Sequence, residues 1–205
     1  MINNMDVIKR IKSIQRFLET NNLDGFIQPR SDSYLGEYVP LSDSRLEWIS
    51  GFSGSAGEIL ILRNTAILFV DSRYTIQAVN ETINTDIKVV LSSEESLTDY
   101  IENNLKKLKN IAFDPWLHSL SKIKFLLNVG KKNNLIFTSL KQNPIDLIWV
   151  SNREDAPKTE IKKHIKKYSG ISASIKIKKL CLILKSFNAD SYIISQPDAI
   201  AICIK

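Results

Sequence analysis

Apolar residues recur along this chain with two periods, and the changes of period divide it into elements. Val7, Ile8, Ile11, Ile14 and Leu18 follow helical spacing behind Asp6, an N-cap candidate, and stop at Asn21-Asn22. This predicts an amphipathic helix. Gly25 to Gln28 is a short run closed by Pro29, which predicts a buried strand, and residues 30–42 read as loop. Ser44 and Glu47 have capping-box spacing and open a short helix through Trp48 and Ile49, broken by the Gly51–Gly57 stretch. Glu58–Leu62 and Ala66–Val70 are continuous apolar runs joined by Arg63-Asn64-Thr65. Runs so short and so apolar predict an antiparallel hairpin buried on both faces.

Farther on, the pattern predicts a helix over 73–82, a strand over 86–91, and a helix over 93–108 with Leu97, Ile101, Leu105 and Leu108 inward. A strand over 111–113 ends at Asp114-Pro115, a helix covers 121–132, and a strand covers 134–140. Strands alternating with helices, plus one hairpin, give an α/β domain over residues 1–150: a mixed β-sheet flanked by helices. Residues 151–169, with Asn152, Asp155, Pro157 and several lysines, read as a basic linker holding one short helix. A second pattern then begins. Ile175, Leu180, Ile183, Leu184 and Phe187 suit a helix, Ser191–Ser195 a strand, and Ala199–Ile204, after a turn, a further strand. A helix–strand–strand unit cannot cover both faces of its own sheet, so residues 170–205 are expected to be the truncated start of a second α/β domain.

Charge sharpens this division. Of 28 basic and 22 acidic residues, 17 of each lie in residues 1–150, so the net +6 belongs wholly to residues 151–205. The excess is lysine, with Arg153 the one arginine there and few aromatics. Base-reading surfaces favour arginine forks and stacking rings, so a solvated face is the stronger reading and a basic-tail nucleic-acid module the weaker. The chain also holds 29 Ile, 21 Lys and 16 Asn, a bias that AT-rich coding DNA produces. No apolar run reaches membrane-spanning length and the N-terminus lacks a signal-peptide pattern, so a cytoplasmic location is expected. Cys181 and Cys203 are then two free thiols. With His118 and His164 as the only histidines, no zinc-type spacing exists.

Little local chemistry stands out. Gly51, Gly54 and Gly57 precede a strand, where a phosphate loop would follow one, and they read as a turn needing close backbone approach. Ser53 and Ser55 lack the nucleophile-elbow frame. Nothing favours a triad on His118, which reads as a cap or as packing beside Trp116. Asp71 and Arg73 follow a buried strand; Arg73 either salt-bridges locally or presents its guanidinium to a carboxylate ligand.

Taken in order, the segments carry a resemblance. GEYVPLSDSRLEWISGFSGSAG (36–57), FVDSRYTIQA (69–78), AFDPWLHS (112–119), NPIDLIWVSNRE (143–154), HIKKYSGIS (164–172) and a degraded D-x-IA (198–201) are similar to successive signatures of the Xaa-Pro aminopeptidases. That resemblance implies a creatinase N-terminal-like fold and a chain lacking the catalytic pita-bread domain. In the intact family enzyme that domain binds two divalent metals, usually manganese, and releases an N-terminal residue preceding proline. This chain alone is therefore expected to be inactive, with no catalytic or metal-binding residue of its own. Its role would be to shape substrate access or assembly, beside a catalytic-domain polypeptide or by self-association. An inactive remnant of a decayed gene is the alternative. FVDSRYTIQA is similar to the family's W-T-D-G-R-Y-F-L-Q-A, which implies substrate contact for Arg73 and supporting roles for Asp71 and Tyr74. Ser72 stands where that motif has glycine, so a left-handed backbone there would strain it and misdirect Arg73.

Overall fold

The computed structural model describes residues 4–104, 106–160, 162 and 165–204. Leu105 and His164, which figure in the sequence reading, lie outside them. Among the described residues, α1 (Asn4–Thr20) leads to β1 (Gly25–Pro29), α2 (Arg45–Ser50), β2 (Gly57–Leu62), β3 (Ala66–Val70) and α3 (Thr75–Glu81). Then follow β4 (Ile87–Leu91), α4 (Leu97–Asn104), β5 (Asn110–Phe113), α5 (Leu120–Asn133), β6 (Ile136–Ser139) and α6 (Pro144–Ile148). The last elements are α7 (Lys166–Ser169), α8 (Ala173–Ser186) and α9 (Pro197–Ile204).

The strands form one sheet in the order β4-β3-β2-β1-β5-β6. β2 runs antiparallel to both β1 and β3, while β1–β5, β5–β6 and β3–β4 are parallel. This is the expected mixed sheet flanked by helices. Alternation along the central strands sorts their side chains into two cores. Phe26, Ile59, Ile61 and Leu68 face α1, α2 and α6 through Val7, Ile14, Leu18, Leu46, Ile49 and Ile145. Ile27, Leu60, Ile67 and Phe69 face α4 and α5 through Leu97, Ile101, Leu126 and Val129. Burial on both faces explains why β2 and β3 read as unbroken apolar runs. The hairpin register pairs Leu60 with Ile67 and Ile59 with Leu68.

Boundaries depart from the sequence reading where local hydrogen bonds intervene. α1 already includes Asn4 and Met5, so Asp6 lies inside the helix and is not its N-cap. α4 begins at Leu97 and not at 93. Ser96 and Asp99 bond reciprocally, with the Ser96 hydroxyl accepting from Asp99 N at 3.2 Å and Ser96 N donating to Asp99 Oδ2 at 3.2 Å, and this caps the helix there. Ser44 precedes α2, but its hydroxyl donates to the Pro40 carbonyl at 3.2 Å, so the expected capping box does not form. The helix expected over 73–82 opens as a 3-10 turn at Ser72–Tyr74.

The larger correction concerns the last segment. Among the described residues Ser191–Ser195 pairs with no strand, and Pro197–Ile204 is a helix where a strand was expected. A strand leaves its backbone donors and acceptors open unless an edge receives them, whereas a helix satisfies them internally. No residue of α8 or α9 is buried. Ile177, Leu182, Ile183, Phe187, Ile193 and Ile202 are exposed. Cys181 and Cys203 carry free thiols.

Candidate functional site

The parallel strands β1, β3, β4, β5 and β6 all end at one edge of the sheet, and antiparallel β2 starts there. The loops after β1, β3, β5 and β6, and the Gly51–Gly57 stretch before β2, therefore share that edge. Asp71, Arg73 and Tyr74 sit on it directly after β3. Asp71 caps the 3-10 turn: its Oδ1 accepts from Arg73 N at 3.0 Å and from Arg73 Nε at 2.7 Å. These bonds, the backbone one foremost, hold the Asp71 carboxyl below its ordinary pKa. The Arg73 side chain is 65% exposed and lies over the Tyr74 ring, 5.2 Å from its centroid. Only Nε is engaged among the described residues, so both terminal guanidinium nitrogens remain available for a carboxylate fork. The local and the ligand-facing readings of Arg73 are thus compatible. Ser72 is not left-handed, so its replacing glycine strains nothing.

The glycine-spaced stretch supports this turn from below. Gly51 takes the left-handed C-cap of α2 at φ 79°. A β-carbon on Gly54 would lie 2.1 Å from the Phe52 ring, and one on Gly57 would lie 3.0 Å from the Phe69 carbonyl oxygen. Buried Phe52 meets Tyr74 edge-on, with centroids 5.6 Å apart. The Ser55 and Tyr74 hydroxyls are 2.5 Å apart, and that bond pulls the Tyr74 pKa down. Ser53 N and Oγ donate to Glu81 at 2.9 and 2.7 Å, and Gln77 Nε2 bridges both residues. Sequence reasoning dismissed Ser53 and Ser55 as nucleophiles and did not find their positioning role.

A second polar assembly was missed altogether. Arg45 grips Asp146 through Nε and Nη2, at 2.8 and 3.0 Å, and reaches Asp43 at 2.9 Å. Arg153 joins from the far side, donating to Asp146 at 2.7 Å and to the Ser42 carbonyl at 2.8 Å. Beside it, Trp48 and Trp149 stack at 5.3 Å, with Arg10 over the first ring at 4.3 Å and Arg153 over the second at 4.9 Å. The strings 36–57 and 143–154 thus meet in one ion-pair and cation–π assembly, which fixes where the chain leaves the sheet domain.

His118 takes the capping role expected of it, as the C-cap residue of the 3-10 turn Pro115–Leu117. Its ring meets Phe113 edge-on at 5.6 Å, and Nδ1 bonds the Asp114 carbonyl at 2.9 Å. Burial, opposed by that bond and by nearby Glu58, pushes its pKa below the ordinary 6.5. The unfolded chain therefore takes up the proton first. Stability from this group is full above about pH 6.5 and is lost as pH falls through the folded-state value. The urea midpoint should drop between about pH 7 and pH 5, and less steeply in His118→Gln. Parallel slopes would assign the drop to other groups. Among the described residues no three His, Cys, Asp or Glu side chains converge as a metal's ligand set. No helix among them is long and apolar enough to cross a membrane.

Residues 10–148 match the model of a family described as the creatinase/prolidase N-terminal domain. A probable Xaa-Pro aminopeptidase P of Penicillium rubens is 30% identical over 200 residues, covering 96% of this chain and 32% of that protein. The corresponding protein of Aspergillus oryzae is 31% identical over 196 residues, covering 94% and 30%. The chain spans about a third of the length of these curated relatives. The solved X-prolyl aminopeptidase of Caenorhabditis elegans, a cytosolic enzyme with a di-nuclear active site, superposes with a TM-score of 0.83 at 22% identity, covering 99% of this chain and 34% of that one. The X-Pro aminopeptidase of Thermotoga maritima covers 67% and 34% with a TM-score of 0.51 at 25% identity. Both likenesses are of fold.

Proposed function

The chain belongs to the creatinase/prolidase N-terminal domain family, and from that membership we propose that it is the non-catalytic N-terminal part of a cytoplasmic Xaa-Pro aminopeptidase. In this reading it shapes how peptides reach a metal-dependent catalytic unit carried elsewhere. The observation that carries it is Arg73: an exposed guanidinium, oriented by Asp71 at 2.7 Å and backed by Tyr74, with its terminal nitrogens open. Such a group binds a peptide carboxylate or carbonyl and needs no acid–base partner on this chain. Asp71 and Tyr74 are positioning residues.

The test is a chimera in which this chain replaces the N-terminal third of the Penicillium rubens relative. Arg73→Ala should lower kcat/KM on Xaa-Pro peptides by about tenfold or more, the worth of a charge-assisted hydrogen bond. The isolated chain with manganese should release nothing. Equal kcat/KM for the two chimeras, or turnover by the isolated chain, would overturn the reading.

In the same reading residues 1–150 are the folding unit, 151–169 a connector, and 170–205 the opening of a second unit completed by further chain, by a catalytic-domain polypeptide or by self-association. Limited proteolysis should cut first within 151–169 and leave a resistant N-terminal core. Equal protection on both sides would refute that division.

A further inference from the structure

The sheet has a topological switch point that the Arg73 reading does not use. The chain runs outward from β1 through β2 and β3 to β4, then returns to the other side of β1 with β5 and β6. In open α/β sheets ligands bind in the crevice outside the carboxyl ends of the strands where the order reverses. That crevice lies between the loops after β1, β5 and β6, and there the structure has a cavity of about 430 Å³, the size of a small-molecule site.

Its chemistry comes in two layers. The floor is preorganised: Asn143, 3% exposed, donates to Asp114 Oδ2 at 3.0 Å and to the buried Gln28 side chain at 2.9 Å, while the other Asp114 oxygen accepts from Trp116 N at 3.0 Å. The rim is uncommitted. Trp116 and Tyr34 both line the cavity, yet they are 72% and 59% exposed. The Lys141 ammonium and the Gln142 amide, also lining it, have no hydrogen-bond or ion-pair partner among the described residues. Tyr34 is placed by a strained loop. Buried Asp32 accepts from Tyr34 N and Gly36 N, both at 3.0 Å, and Leu35 between them is held left-handed at φ 55°. A leucine in that conformation persists only where its surroundings impose it. The acidic groups at the cavity are already satisfied: Asp43 and Asp146 by Arg45 and Arg153, and Asp114 by Asn143 and Trp116 N. What remains to bind a ligand is two aromatic faces, one open cation and the Gln142 amide.

We propose that this crevice binds a small ligand that joins a flat ring to a carboxylate, the ring against Trp116 and Tyr34 and the acid on Lys141. The site is independent of Arg73, so either reading can fail alone. The probe is 3-phenylpropionate, followed by saturation-transfer NMR on the full chain, with 3-phenylpropionamide as the uncharged control. Wild type should bind the acid with a dissociation constant on the order of 1 mM, as expected for a fragment of this size. Trp116→Ala should weaken it about tenfold, and Lys141→Gln about threefold. The amide should bind wild type and Lys141→Gln equally. Both substitutions fall on exposed side chains, so unchanged melting curves will show an intact fold. Absence of saturation transfer in wild type, equal binding by the variants, or an amide that binds as well as the acid would each overturn the proposal.

Discussion

Arg45→Ala is expected to lower the unfolding free energy by roughly 3–5 kcal/mol, read as a lower urea midpoint at unchanged slope. The size follows from burial. The Arg45 side chain is 10% exposed, and its removal leaves Asp43 and Asp146, themselves 29% and 23% exposed, with Arg153 alone to answer them. Burial works against the Arg45 charge, but the bonds and charges of Asp146 and Asp43 outweigh it, and its pKa rises. The cation is thus fixed at any working pH. Arg45→Lys should recover only part of the loss, because a point charge cannot make the two-pronged contact with Asp146. A loss below about 1 kcal/mol for Arg45→Ala would put the assembly in the class of screened surface pairs.

That assembly also shows why part of this molecule was not legible in its sequence. Arg45 and Asp146 are 101 residues apart, and neither has a neighbour that marks it as half of a pair. Each lay inside a string that suggested a family, and the physical reason for the two strings appears only when α2 and α6 meet over α1. Strands β2 and β3 were legible because burial on both faces writes an unbroken apolar run. The start of α4 was not, because the Ser96–Asp99 cap competes locally with an apolar period that continues on either side. Residues 191–204 failed for a different reason. Alternation and apolarity describe what a segment could pair with, and among the described residues no edge receives it. At the candidate site, Asp71, Arg73 and Tyr74 were singled out by a motif, and they do converge. Ser55, which holds Tyr74, was weighed only as a nucleophile, since nothing in a sequence tells a hydroxyl that reacts from one that positions.

The coupling between that site and the core is measurable at Phe52 and Gly54. Phe52 is 1% exposed, and Phe52→Ala should cost roughly 3–5 kcal/mol in urea denaturation, the range for a buried aromatic truncated to alanine. Gly54→Ala should cost on the order of 1–3 kcal/mol for a different reason. Gly54 does not have a left-handed backbone, so its own conformation tolerates a side chain. The obstacle is the Phe52 ring, 2.1 Å from where the β-carbon would stand. The two costs must therefore interact. With Phe52 already alanine the added methyl enters vacated space, and the double variant should be more stable than the sum of the singles by on the order of 1–3 kcal/mol. Strict additivity would mean that the glycine is required by the backbone and not by the ring beneath it. Because the same ring meets Tyr74 edge-on at 5.6 Å, Phe52→Ala removes the floor under the residue that backs Arg73. In the chimera it should reduce kcat/KM in the same direction as Arg73→Ala. Gly54→Ala added to that background should then cost little further stability and restore little of the activity, since a methyl offers Tyr74 no ring edge.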